Sequence, residues 1–256
     1  MKPNTNLIIG RAIDLNCDLG EGCGDDTAML GLVSTANLAC GGHAGDESTL
    51  TEVVKTSKKQ QVRIGAHPSY PDRENFGRHQ MTISADDLQQ SLTDQIALAV
   101  RVAEAQSHPL THVKAHGALY NFLEENQELA QVVAAAIKAV NPALTWLGLP
   151  GRAAEAVANS QGIEFKREFF ADRAYLPNGT LAPRSTPGAV LHDPAKIAQR
   201  VLEAVNSSTI SDIYGNPLAV KFDSICVHGD TEVAVEMARK IRQTLENNGV
   251  SIRAFA

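Results

Sequence analysis

Along its length the chain alternates short apolar segments, five to nine residues long, with longer amphipathic ones. Arg11–Leu19, Thr35–Cys40, Arg63–His67, His112–His116, Thr145–Leu149, Phe165–Ala171, Ile225–Gly229 and Val250–Phe255 read as strands. The stretches between them read as helices. Asp46 can cap a helix running to Gln60 with Leu50, Val53, Val54 and Ser57 on one stripe. Ser84 can cap Ala85–Gln106, where Leu88, Leu92, Ile96 and Ala99 recur at helical spacing. Glu124–Val140 stops at Asn141-Pro142, and Asp193–Val205 and Thr231–Asn248 follow, the last closed by Gly249. Repeated strand-then-helix units with short connections demand a parallel sheet joined by right-handed crossovers. A closed barrel and an open doubly wound sheet both satisfy that demand.

Composition narrows the class. At 256 residues the chain fits one α/β barrel, so 1–256 is expected to be a single domain. With 23 basic and 29 acidic side chains the net charge is −6, which leaves no electrostatic footprint for nucleic acid or an anionic membrane. No apolar run reaches bilayer length, and Met1–Arg11 lacks the apolar core of a signal peptide. Cys17, Cys23, Cys40 and Cys226 form no C-x-x-C pair or zinc-ribbon spacing. Thiols of this kind suit a reducing compartment, and a cytoplasmic location is expected.

The strand ends carry the chemistry. Alternation puts Asp14, Asn16 and Asp18 on one face of the first strand and Leu15, Cys17 and Leu19 on the other, with Glu21 in the Gly-rich turn beyond. Arg63, Gly65 and His67 share one phase of their strand. The same holds for His112, Lys114 and His116, for Glu168, Phe170 and Asp172, and for Cys226, His228 and Asp230. The phase that packs on helices must be apolar. The polar phase therefore points inward, at the carboxyl ends where such folds bind ligands. Buried charge is costly unless compensated, so five strands ending in polar clusters argue for a shared site.

Individual groups keep two readings. Ala39-Cys40-Gly41-Gly42-His43-Ala44-Gly45-Asp46 is either an anion cradle at a helix N-terminus or a tight strand-to-helix turn. It is not a P-loop, and no nucleotide fingerprint is present. Asp14, Asp18, His43, His67, His116 and His228 are donors suited to zinc or a harder divalent ion, but their spacing defines no ligand set; Asp14, His43, His67 and His116 are the leading metal candidates. Lys114 either tunes the flanking histidines and binds a substrate carboxylate, or pairs with Asp14 or Glu168 to neutralise the interior. Arg73, Arg78, Arg173 and Arg184 fall in two long irregular stretches, Pro68–Ile83 and Asp172–Leu191. Loops of that length are expected to cover the mouth or meet a partner.

Asp14-Leu15-Asn16-Cys17-Asp18-Leu19-Gly20-Glu21-Gly22, Asn37-Leu38-Ala39-Cys40-Gly41-Gly42-His43-Ala44-Gly45-Asp46 and Gly65-Ala66-His67-Pro68 resemble the LamB/YcsF family of 5-oxoprolinase A subunits. The resemblance continues through Phe76-Gly77-Arg78, the run Val113–Asn121, the run Phe170–Tyr175, Pro183-Arg184-Ser185 and the run Cys226–Thr231, covering nearly the whole chain. Four positions depart from the family pattern, which has Phe at Gly42, Pro at Ala115, Gly at Asn75 and Arg at His79.

The resemblance implies a seven-stranded parallel β/α barrel like those of glycoside hydrolases and sugar deacetylases. It also implies ATP-dependent opening of 5-oxo-L-proline to L-glutamate with two partner subunits, ATP serving as co-substrate and a divalent metal as a further option. One barrel uses nearly all of the chain and leaves no evident ATP module, so activation would come from the partners. In that chemistry Asp14, Asp18 or His116 would activate water, and Lys114 or a backbone N–H would stabilise the oxyanion. His228 or another histidine would protonate the leaving nitrogen. Asn16, Glu21, His43, Asp46, His67, Asp172 and Arg173 would contact substrate. The rival readings are a stand-alone metal-dependent amidohydrolase and a non-catalytic substrate-binding subunit.

Overall fold

Residues 11–228 and 233–255 are described by the computed structural model. The expected roles of Met1–Gly10, of Gly229 and Asp230 at a strand end and of Thr231 at a helix start lie outside the described residues. The chain runs β1 (Ala12–Leu19), α1 (Asp26–Leu30), β2 (Thr35–Ala39), α2 (Glu47–Gln60), β3 (Arg63–His67), α3 (Ala85–Ala105), β4 (His112–Val113) and α4 (Gly117–Leu123). It continues through α5 (Gln127–Val140), β5 (Thr145–Gly148), α6 (Ala153–Gln161), β6 (Phe165–Phe170) and α7 (Pro194–Ser207). Then come β7 (Thr209–Ser211), β8 (Pro217–Ala219), β9 (Ser224–Cys226), α8 (Ala234–Asn247) and β10 (Ser251–Ile252).

Strands β1 to β6 pair in chain order, β6 pairs β9, and β9 returns to β1, all in parallel. That closes a seven-stranded barrel and decides against the open sheet. β10 adds to the beginning of β1, at Ala12 and Ile13, before β9 takes over that edge from Asp14 onward. β7 and β8 form a separate antiparallel hairpin. Among the described residues no helix is long and apolar enough to cross a membrane.

Register explains the layering. Leu15, Cys17, Leu19, Ala36, Leu38, Ile64, Ala66, Val113, Phe169 and Ile225 take the outward phase and are buried in one continuous core. The α2 stripe of Leu50, Val53, Val54 and Ser57 and the α3 stripe of Leu88, Leu92, Ile96 and Ala99 are buried as their spacing requires. Asp46 and Ser84 cap these helices by accepting from the N–H groups of Thr49 and Asp87. On the inward phase, Asp18 aligns with Asn37, Asn37 with Gly65, Gly65 with His112, and Asp14 and Glu168 each with Ser224. A Cβ on Gly65 would stand 2.4 Å from the His112 ring, so this strand position must be glycine for the histidine to cross the interior.

Three helices escape the periodicity. α1, α4 and α6 have five, seven and nine residues, too few for a stripe to repeat convincingly. The expected strand His112–His116 keeps only two ladder residues, because α4 begins at once after His116. Lys114 and His116 still donate backbone N–H groups to Ala66 and Pro68, at 3.0 and 2.8 Å. The expected helix Glu124–Val140 begins instead at Gln127, capped by Asn126, because Glu124 ends α4.

Glu124 is buried, and its Oε1 accepts from the Leu149 N–H at 3.1 Å while Oε2 has no partner. Burial pushes its carboxyl up to about 8. A folded-state pKa above the unfolded one gives stability that is complete below about pH 4.5 and is lost as pH rises through about 8. Thermal melts should therefore fall between pH 6 and 9 more steeply in the native protein than in Glu124→Gln. Parallel curves would refute a buried neutral carboxyl.

Candidate active site at the barrel mouth

The inward phase begins with a hydrogen-bonded plug. Asp14 accepts from the hydroxyls of Ser34 at 2.7 Å, Thr35 at 2.8 Å and Ser224. Desolvation outweighs these bonds and raises its carboxyl to about 6. One turn of the pleat higher, Asn16 donates to Ser224 at 2.7 Å and accepts from Asn37 at 2.9 Å. His112 Nε2 meets Asn37 Oδ1 at 2.8 Å. Every polar side-chain atom of Asp14, Asn16, Asn37, His112 and Ser224 has a protein partner. Asp14 and Asn16 thus form the floor of the site, not the expected water base and substrate contact.

Above this floor stands Lys114. Its Nζ lies 2.9 Å from Asp18, 2.9 Å from Glu168 and 3.3 Å from Cys226 Sγ, with 1 % of the residue exposed. Burial works against the ammonium, but the two carboxylates outweigh it and hold its pKa well above the ordinary value. Asp18 also accepts from Asn37 at 2.8 Å, and Tyr120 donates to Glu168 at 2.9 Å. Burial opposes ionisation of Asp18, yet His67 and Lys114 hold its pKa well below the usual range. Of the two partners sequence allowed for Lys114, the fold selects Glu168 and adds Asp18. Asp14 is excluded by its own hydroxyl cage.

Beside this triad four side chains converge from four successive strand ends. Glu21 comes from the turn after β1, His43 from the turn after β2, His67 from the end of β3 and His116 from the start of α4. Glu21 Oε1 lies 3.0 Å from His43 Nε2, 3.3 Å from His116 Nδ1 and 3.8 Å from His67 Nε2. His67 Nε2 and His116 Nδ1 are 3.0 Å apart, and the His43 and His116 rings stack at 3.6 Å. Burial pushes His43 down to about 4 and His116 below its ordinary value. For His67 the Asp18 carboxylate, 3.4 Å away, outweighs burial and raises the pKa. The donor types and their convergence suit a divalent ion. Asp14, the fourth metal candidate from sequence, is absent from this group and Glu21 takes its place.

On the other side of Lys114, His228 Nδ1 meets both Asp172 oxygens, at 2.8 and 2.9 Å. The ligand atoms of Asp18, Cys226 and His228 lie within 4.8 Å of one another, which puts the imidazole over the same centre. Burial opposes ionisation of Asp172, but His228 wins and lowers its pKa. Arg200 holds this segment by donating to the carbonyls of Phe170, Ala171 and Arg173. Sequence reasoning missed Arg200, although an arginine on the inner stripe of an amphipathic helix was the available signal.

Two expected substrate contacts do not join the site. Asp46 is exposed and caps α2. Its carboxylate already serves the N–H groups that an anion would need, while Arg73 donates to the Gly41 and Gly45 carbonyls. Gly45, at φ +74, would place a Cβ 2.4 Å from the Ala39 carbonyl, so close packing is what the turn requires. Arg173 turns into its own loop and donates to the Ala182 carbonyl at 2.7 Å.

The loop at 68–83 covers the histidines. Phe76 packs edge-on against His43 and His116, at 5.2 and 5.4 Å, and its carbonyl lies 3.0 Å from His116 Nε2. The Phe76 carbonyl thereby holds the Nε2 hydrogen of His116 and turns Nδ1 toward His67 and Glu21.

Residues 13–256 match the family model described as LamB/YcsF. The chain belongs to the LamB/YcsF family. A Pseudomonas syringae pv. tomato relative, named as a 5-oxoprolinase A subunit, is 46% identical over 251 residues, covering 96% of this chain and 98% of the relative. A crystal structure of a lactam utilization protein from Thermus thermophilus superimposes with a TM-score of 0.90 at 40% identity, over 95% of this chain and all of that one. A family 4 carbohydrate esterase from Streptomyces lividans shares the fold alone, at TM-score 0.51 and 12% identity over 97% of this chain and 94% of that one.

Within the LamB/YcsF chain, the departure at Gly42 has a local cause. A Cβ there would stand 2.4 Å from Gln95 Oε1 and from Ser69 Oγ. Gln95 occupies that space because its amide clamps Ser69, accepting from the N–H at 3.0 Å and donating to the carbonyl at 2.9 Å.

Lys114→Met would leave Asp18 and Glu168 buried without their shared cation. It should cost about 3 kcal/mol of folding stability in denaturant titrations. Adding Glu168→Gln to that variant should recover part of the loss. Equal stability of native protein and Lys114→Met would refute the pairing.

Proposed function

We propose that this chain opens the lactam of 5-oxo-L-proline to give L-glutamate, as one subunit of a cytoplasmic, ATP-dependent 5-oxoprolinase with two partner subunits. The observation that carries the reading is the near-full-length relation, at 46% identity, to a protein named as a 5-oxoprolinase A subunit. The lactam utilization protein of the same architecture supports the substrate class.

The chemistry of the mouth fits the need. Opening an unstrained amide requires an oxygen nucleophile at the carbonyl carbon, charge stabilisation at the carbonyl oxygen and a proton for the departing nitrogen. His228, oriented by Asp172 through Nδ1, keeps Nε2 for proton transfer to that nitrogen. Lys114 supplies the positive field, and Asp18, ionised beside it, accepts from a water or from the substrate amide. Water adds to the carbonyl carbon, the carbon–nitrogen bond breaks, and the nitrogen leaves as an amine carrying the transferred proton. ATP would phosphorylate the carbonyl oxygen with release of ADP; loss of the nitrogen would then leave an acyl phosphate, which a second water hydrolyses to the carboxylate and inorganic phosphate. The chain has no P-loop sequence, so the phosphorylation is assigned to the partners.

The test is turnover of isotope-labelled 5-oxoproline in the reconstituted complex, with each subunit omitted in turn. Omission of this chain should abolish glutamate formation. His228→Asn should lower saturated turnover by about 10²–10⁴-fold with assembly intact. Full turnover without the chain would overturn the function, and native turnover by His228→Asn would overturn the assignment of the proton donor.

A further inference from the structure

The quartet of Glu21, His43, His67 and His116 contains a surplus of acceptors. His67 Nδ1 lies 2.7 Å from the Lys114 carbonyl, and His116 Nε2 lies 3.0 Å from the Phe76 carbonyl. A carbonyl only accepts, so each of these outer nitrogens carries the hydrogen. In neutral imidazoles the inner nitrogens, His67 Nε2 and His116 Nδ1, are then lone pairs. They face each other at 3.0 Å, with the Glu21 carboxylate 3.3 Å from one and 3.8 Å from the other. Three acceptors crowd one point, and His43 Nε2 approaches Glu21 at 3.0 Å from the fourth side. Something positive must hold them together.

We propose that Glu21, His43, His67 and His116 bind one divalent transition-metal ion of the zinc class. The four atoms lie within 4.8 Å of one another. A tetrahedral ion with bonds of about 2.0–2.1 Å spaces its ligands about 3.3–3.4 Å apart. The four separations quoted for the quartet, 3.0, 3.0, 3.3 and 3.8 Å, bracket that spacing, and the His43 and His116 rings, stacked at 3.6 Å, would turn about their side-chain bonds to aim both lone pairs at the ion. Three imidazoles and one carboxylate select zinc, cobalt or a similar borderline ion over calcium or magnesium, which demand oxygen. The outer N–H groups of His67 and His116 are held by backbone carbonyls, the arrangement that fixes the tautomer of metal-ligating histidines. The quartet is also almost sealed: the His43 side chain is 0% exposed and that of Glu21 7%.

The rival occupant is a proton on His67, donated to His116 Nδ1 and shared with Asp18 and Glu21. The two differ in stoichiometry and spectrum, so binding can be measured on the full chain without partners, ATP or substrate. This separates the metal from the lactam reading, which is tested by turnover of the complex. After chelator dialysis the protein is titrated with Zn(II) against a chromophoric competitor and, separately, with Co(II). One equivalent of Zn(II) should bind and raise the melting temperature, and Co(II) should give the visible d–d bands of a tetrahedral site. Glu21→Gln, nearly the same shape as the native residue, and His67→Ala should each weaken Zn(II) binding by about 100-fold or more. His228→Asn, outside the quartet, should change it by less than about twofold. If His67→Ala fails to fold, Glu21→Gln with the Co(II) spectrum decides. Absence of stoichiometric binding, or loss of binding in His228→Asn with Glu21→Gln unaffected, would overturn the site.

Discussion

A barrel whose interior is lined with ionisable side chains stands only if every charge is answered, and here Lys114 answers two of them. Its ammonium sits between Asp18 and Glu168, from strands on opposite sides of β4, and so ties the carboxyl ends of β1 and β6 across the mouth. A buried pair of this kind adds little net stability compared with an apolar filling. Its contribution is positional. Asp18 held on Lys114 turns its second oxygen toward His67, and Glu168 held there turns its own toward Tyr120. His67 in the Glu21–histidine quartet on one side and Tyr120 on the other take their places from a single cation.

The floor beneath follows a different rule. Asp14, Asn16, Asn37, His112 and Ser224 are tied to one another and to Ser34, Thr35, Thr111 and Asp18 by hydrogen bonds. Glu21, His116 and His228 lie above this floor, beyond the last ladder residues. This division matches the general behaviour of β/α barrels, in which the carboxyl face reacts and the opposite end stabilises.

Much of this was legible in the chain because strand alternation is a strict period of two. Asp18, His67, Lys114, His116, Asp172 and His228 were all assigned to the inward phase, and the inward phase is where they stand. Alternation does not report height along the barrel axis, which is why Asp14 and Asp18 looked equivalent although one is floor and the other mouth. Nor does it report what covers a site. Phe76 acts through its own backbone carbonyl, which leaves no trace in sequence, while Arg200 left only its place on the inner stripe of α7. Asp46 misled for a related reason: a carboxylate in a Gly-rich turn reads equally as ligand contact or helix cap, and only the Thr49 N–H decides. The choice between a closed barrel and an open sheet rested on β9 meeting β1, a contact between residues some two hundred positions apart.

The loop at 68–83 does more than roof the histidines. Its Phe76 carbonyl orients His116, the Gly77 carbonyl receives the Ala118 N–H at the start of α4, and Arg73 braces the turn that carries His43. A covering segment that is also scaffold cannot swing aside to admit a substrate without dismantling what it covers. Across Lys114 from that wall stands His228, whose side chain is 14% exposed. The mouth thus sets a wall built as scaffold opposite the histidine proposed as proton donor.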